Sequence, residues 1–148
     1  MTTEDAALRV LRCRSGALEW AVEERVVREV AAPVPLARLP GAPAAVLGLG
    51  NLRGALLTVV DAGRLLGQPA QPRPKALVVL ELAGRRVALA ADEVDDLHRV
   101  PVDAFSLAGP VAGVPDGVII SQGPLDRPFL LLDPEALVAP LFPAAAPG

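Results

Sequence analysis

Prolines and glycines interrupt this chain so often that long regular helices have little room. Sixteen Pro and thirteen Gly fall among 148 residues, and in a helix interior they cost about 3 and about 1 kcal/mol each relative to alanine. This argues against an all-α bundle. Between the interruptions lie short alternating or wholly apolar runs, the pattern of strands. The candidates are 7–14, 17–22, 26–31, 47–53, 55–61, 75–83, 85–91, 94–100, 117–122 and 128–133. Hairpin turns are expected at Ser15-Gly16 and Ala83-Gly84, where Gly supplies a positive φ. Asp133-Pro134-Glu135 opens a short helix to about Leu141, with Asp as cap and Pro at the first helical position. Residues 62–66 read as one helical turn closed by Gly67, and 68–74 as a stiff proline-rich linker. The tails, 1–6 and 143–148, are expected to fray.

A second pattern overlies the first. One and the same interval separates Gly16 from Gly84, Val26 from Val94, and Glu24 from Asp92, and Gly48 stands from Gly117 at that interval plus one. Gly48 and Gly117 each open an apolar hairpin that ends in Asp, at Asp61 and at Asp133, and a leucine-bearing segment follows. One segment order used twice implies two similar β-units sharing an apolar seam, since a unit of half this chain's length is marginal alone. The expected fold class is all-β (mainly), with approximate subdomains 7–67 and 76–133 and a helix at 134–141, within one domain spanning 7–142.

Charge and composition exclude several functions. The net charge of −3 and the four large aromatics, Trp20, Phe105, Phe129 and Phe142, supply neither the basic face nor the stacking platforms of a nucleic-acid binder. No apolar run approaches the ~18 residues of a membrane span, and the acidic N-terminus lacks the regions of a signal peptide. The reading is a soluble, cytoplasmic protein without membrane insertion. Cys13 is the single cysteine and His98 the single histidine. Cys13 sits in an alternating segment as a small buried strand residue, or alternatively as a thiolate favoured by Arg12 and Arg14. Asp95, Asp96 and His98 suggest a solvated acidic turn; zinc sites draw on more His or Cys than this chain holds. Ser15, Ser106 and Ser121 lack a G-x-S-x-G setting, and residues 48–54 lack phosphate-loop spacing. No catalytic residue, metal or cofactor is expected.

Four ordered segments carry a resemblance. They are Val27-Arg28-Glu29-Val30, Leu39-Pro40-Gly41-Ala42-Pro43, Gly48-Leu49-Gly50-Asn51-Leu52-Arg53-Gly54 and Val59-Val60-Asp61. Ala91-Asp92-Glu93-Val94 and residues 117–138 extend the match. Together they resemble the CheW family over roughly residues 7–142. The resemblance implies two small five-stranded SH3-like barrels on a common hydrophobic core. It also implies a non-catalytic chemotaxis adaptor coupling the tip of a methyl-accepting chemoreceptor to the regulatory domain of a CheA-type histidine kinase. Such adaptors lie in signalling arrays at the inner face of the membrane.

On that family pattern, Leu47, Gly48, Arg53 and Leu56 are candidates for the kinase side, and Val27, Val30, Ala88 and Val94 for a receptor groove between the barrels. Glu29, Asn51, Leu52 and Gly54 would organise the loop, with Glu29 and Arg53 forming a guanidinium–carboxylate contact or an ordinary surface ion pair. Leu49 is a further apolar neighbour. The chain departs from the pattern at Thr58, at Ala62-Gly63, at Glu24-Arg25 and at Ala88; the segment 101–116 has no clear counterpart. A one-sided member that binds only the receptor or only the kinase is the alternative. A small enzyme using Cys13 or His98 is the reading from another class.

Overall fold

Apolar residues on both faces of a strand require cover on both sides, and the runs at 76–80 and 87–91 receive it. The computed structural model describes residues 6–69, 74–106, 109, 111–112, 114, 118–123 and 128–142. The expected tails apart from Ala6, the middle of the linker and Gly117 lie outside them. The strands are β1 (Ala7–Ser15), β2 (Leu18–Glu23), β3 (Val27–Ala31), β4 (Leu36–Ala37), β5 (Val46–Leu52), β6 (Ala55–Asp61), β7 (Ala76–Leu82), β8 (Arg85–Ala91), β9 (Glu93–Pro101), β10 (Ile119–Gln122) and β11 (Leu130–Leu132). The helices are α1 (Ala62–Leu65) and α2 (Pro134–Val138), with 3-10 turns at Glu24–Val26, Val102–Ala104 and Ala139–Leu141. All ten expected strands form, with ends close to those expected. The two-residue β4 is additional, and the helix expected to 141 ends in a 3-10 turn around Pro140.

The strands assemble into two sheets, ordered β10-β11-β2-β1-β9 and β3-β7-β8-β6-β5-β4. In each sheet one pairing is parallel, β11 with β2 and β6 with β8, and the remaining pairings are antiparallel. The interval between the paired glycines aligns β1 with β7, β2 with β8 and β3 with β9; the closing hairpins β5–β6 and β10–β11 then correspond. With β4 set aside, the two sheets share one strand order. Each is built from the first hairpin of one half and the later strands of the other. Subdomains divided at the linker, 7–67 and 76–133, are therefore not the units that pair. After each first hairpin the chain crosses to the other sheet, at residues 24–26 and again at Asp92, so the halves interlock.

This crossing creates three apolar layers. Leu11, Cys13, Trp20 and Val22 from the first sheet meet Val60, Val78, Leu80, Val87 and Leu89 from the second in a shared core, closed by Leu132, Leu137 and Val138. The opposite faces fill each barrel. Leu57, Val59, Leu77, Val79, Ala88 and Ala90 line one interior; Val10, Ala21, Val100, Phe129 and Leu131 line the other. Alternation along β7 sends Leu77 and Val79 to the barrel and Val78, Leu80 and Leu82 to the seam, which accounts for the apolar run at 76–80. Each buried Val or Leu contributes about 1.5–3 kcal/mol.

Caps and turns follow local chemistry. The Asp61 carboxylate accepts the N–H of Arg64 at the start of α1, and Asp133 accepts those of Glu135 and Ala136 at α2. Two hairpins close on consecutive left-handed residues, Arg53-Gly54 (φ 50° and 86°) and Ala83-Gly84 (49° and 79°). This is the type I′ geometry that suits strand twist. The first hairpin turns at Gly16-Ala17, one position beyond expectation, because Ser15 pairs with Leu18. Among the described residues, no helix is long and apolar enough to cross a membrane.

Candidate protein-interaction surfaces

Two side-chain contacts meet at the apex of the β5–β6 hairpin. The Asn51 side-chain oxygen accepts the Gly54 N–H at 2.8 Å, and the Arg53 guanidinium donates to the Glu29 carboxylate on β3. That hydrogen bond, reinforced by the opposite charge, raises the Arg53 pKa further above its ordinary value. The contact, between the two residues expected to pair, joins the hairpin tip to β3 across the second sheet. Leu52 tucks half-buried against the barrel interior, as does Leu47, whereas Leu56 stands 68% exposed. Leu49 is half-buried and Gly48 buried. Gly48 contributes through its backbone, at φ 146° beside a bulge between β5 and β6.

The four expected groove residues do not converge. Val27 and Val94 both pack on the shared core, yet they border different openings. Val27 lines a groove of about 380 Å³ with Ala7, Leu8, Arg9, Glu23, Glu24 and Arg25. Val94 borders a recess of about 160 Å³ between β1 and β9, beside Arg12, Cys13, Arg14, Glu19, Glu93 and Asp95. Val30 is 46% exposed on β3, while Ala88 is fully buried in the barrel interior and offers no surface. The family-pattern argument placed Ala88 by its motif position; strand parity turns it inward.

The 380 Å³ groove contains what the motifs missed. An apolar floor of Ala7, Leu8 and Val27 is rimmed by the ion pairs Arg9–Glu24 (2.8 Å) and Arg25–Glu23 (3.0 Å). The departure at Glu24-Arg25 was its one visible signal, since charged residues there form the rim.

The catalytic alternative loses its nucleophile. Cys13 is 4% exposed between the two sheets, and burial, with the nearby Asp95 charge, pushes its thiol pKa far up. Cys13 is thus a buried strand residue. We expect its thiol to resist maleimide labelling in the native protein at about pH 8 and to label stoichiometrically in denaturant. Fast native labelling would contradict this placement. Asp95, Asp96 and His98 lie on strand β9, not in a turn, with the His98 imidazole 3.6 Å from the Asp95 carboxylate. Among the described residues, no group of three or more His, Cys, Asp or Glu is placed to hold a metal ion.

Comparison with known proteins fits this architecture. A family model described as a CheW-like domain matches residues 9–141. The chemotaxis protein CheW of Rhizobium meliloti (strain 1021) is 40% identical over 89 residues, covering 59% of this chain and 57% of that protein. Protein PilI of Pseudomonas aeruginosa is 31% identical over 103 residues, covering 68% of this chain and 58% of that protein. The chain thus spans less than two thirds of the length of these curated relatives. Among solved structures, the scaffolding protein TtCheW from Thermoanaerobacter tengcongensis superposes with a TM-score of 0.78 at 18% identity, over 86% of this chain and 90% of that one. That likeness establishes the fold, a pair of SH3-like barrels. The second sheet has six strands where five were expected, because of β4.

Proposed function

This chain belongs to the CheW-like domain family, and from that premise we propose that it is a non-catalytic chemosensory adaptor. It couples the cytoplasmic tip of a chemoreceptor to the regulatory domain of a CheA-type histidine kinase, in cytoplasmic arrays beneath the membrane. The observation that carries this reading is the β5–β6 apex. A leucine exposed to 68% stands beside an arginine anchored by Glu29, on a hairpin locked by Asn51. An apolar anchor on a preorganised edge, rimmed by charge, suits protein recognition. Leu47, Arg53 and Leu56 make up the kinase side, with Gly48 shaping the strand beneath them. On the receptor side, Val27 floors a groove suited to an amphipathic helix, and Val30 is exposed on the same strand.

The separation of Val27 from Val94, together with the burial of Ala88, favours one second reading: a one-sided member that keeps the kinase face alone. Titration calorimetry against the cognate kinase regulatory domain and a soluble receptor-tip fragment distinguishes the two. We expect micromolar binding to both, with Arg53→Ala weakening the kinase contact by more than about 1 kcal/mol. Kinase binding without receptor binding selects the one-sided reading. No kinase binding by folded protein overturns the kinase-side assignment.

A further inference from the structure

Strand register brings two arginines together at the mouth of the seam. Leu11 faces the shared core and Val10 the barrel, so alternation along β1 turns Arg9 to the seam side. Across the β1–β9 ladder the partner of Arg9 is Arg99, and that of Leu11 is Leu97. Directly paired residues stand on one face of the sheet, and like charges there are destabilising. The pair thus concentrates positive charge beside the groove of about 380 Å³ that Arg9 lines. We propose that this groove selects a helix whose apolar stripe is flanked by carboxylates, and that Arg9, Arg25 and Arg99 are the residues that select it. The proposal rests on the reading of the groove as the receptor side and names the chemistry of the segment that enters it.

Exposure along the rim shows which charge a partner meets. Arg9 pairs with Glu24 and Arg25 with Glu23, yet the arginine side chains are 63% and 74% exposed and the carboxylate ones 37% and 23%. The acids are the more covered members of both pairs, and the guanidinium groups stand outermost. Arg99 is exposed as well and adds a third cation. The floor beside them, Ala7, Leu8 and Val27, is apolar, and the exposed Leu97 shares the face of Arg99. An apolar strip edged by guanidinium groups is complementary to an amphipathic helix with Asp or Glu along the borders of its apolar residues. Arginine holds a carboxylate bidentately, so such a helix gains orientation as well as affinity. A helix with lysines at those borders meets like charge and is rejected. Arg25 belongs to the Glu24-Arg25 departure from the family pattern, so this selection arises from residues particular to this chain.

Two synthetic helices of about 20 residues test it by fluorescence anisotropy against the full chain. One carries leucines at i, i+3, i+4 and i+7 bordered by glutamates; the other has lysines in place of the glutamates. We expect the glutamate helix to bind about tenfold or more tightly than the lysine helix in about 0.1 M salt. Arg9→Gln/Arg99→Gln should cut that preference to about threefold or less. Its melting temperature should stay within about 2 °C of wild type, because exposed ion pairs contribute little to stability. If the double variant fails to fold, Arg99→Gln alone carries the comparison. Equal binding of the two helices, binding of neither, or a preference that survives the change overturns the proposal. The cognate receptor-tip fragment separates this proposal from the reading beneath it: Val27→Ala and the arginine changes should each weaken its binding. Weakening by Val27→Ala alone leaves the groove as the receptor side and overturns selection by the arginines. Undiminished binding by Val27→Ala overturns the groove reading and the proposal with it.

Discussion

Replacing Trp20 by alanine should cost about 3–5 kcal/mol of stability, a large part of the ~5–15 kcal/mol that a domain possesses. The indole is fully buried in the seam, where β2 of the first sheet meets strands of the second. Its N–H donates to the Ser15 hydroxyl at 3.0 Å, and Ser15 is itself buried. The truncation therefore opens a cavity between the sheets and strands a buried hydroxyl. Urea unfolding followed by circular dichroism measures the loss, with Leu56→Ala as the contrast. Leu56 is exposed, and its truncation should change stability by no more than about 0.5 kcal/mol. A Trp20→Ala loss below about 1.5 kcal/mol would show that the seam is not the main source of stability.

The second large effect is at Gly48. With φ at 146°, its backbone lies where side chains are rarely found, and a residue forced there costs about 1–3 kcal/mol. A Cβ would also sit 2.5 Å from the Ala37 carbonyl oxygen and 3.1 Å from its carbon. Those atoms belong to β4, whose Ala37 is paired with Leu49. Gly48→Ala should detach β4 and destabilise the protein by more than the backbone cost alone. Gly54→Ala is the control: it too has a positive φ, but nothing lies within 4 Å of its Cβ position, so a loss of about 1 kcal/mol is expected. Thermal unfolding of the two variants measures the difference, and equal losses would refute the steric account.

These residues also show how far the amino-acid pattern can be read. The apolar run at 76–80 signals the two-sided burial of β7 from sequence alone, whereas β1 alternates in sequence yet is also buried on both faces, Val10 in the barrel and Leu11 and Cys13 in the seam; both strands form close to where they were expected. The aspartates at 61 and 133 mark helix starts because capping is a local interaction. The Glu29–Arg53 contact was legible only through family motifs, since Glu29 on β3 and Arg53 in the β5–β6 turn have β4 and all of β5 between them in the chain. Strand exchange left no local signal: a hairpin such as β1–β2 has the same sequence requirements whichever sheet completes it. Ala88 was misplaced for a related reason. Its motif position says nothing of strand parity, and parity between Val87 and Leu89 turns it into the barrel. The two residues of β4 are too few to show a period.

Strand exchange bears on how the chain acquires its structure during synthesis. The first hairpin pairs with β9, beginning at Glu93, and with β11, beginning at Leu130. Until those strands leave the ribosome, the apolar faces of β1 and β2 have no native cover. Contacts of such sequence separation slow folding, because a long loop must close before burial repays it. The second sheet, residues 27–91, is complete once Ala91 has been made, whereas the first waits for β9, β10 and β11. A nascent chain arrested at the linker, which lacks strands of both sheets, should thus remain protease-sensitive, and the first barrel should gain its protection last.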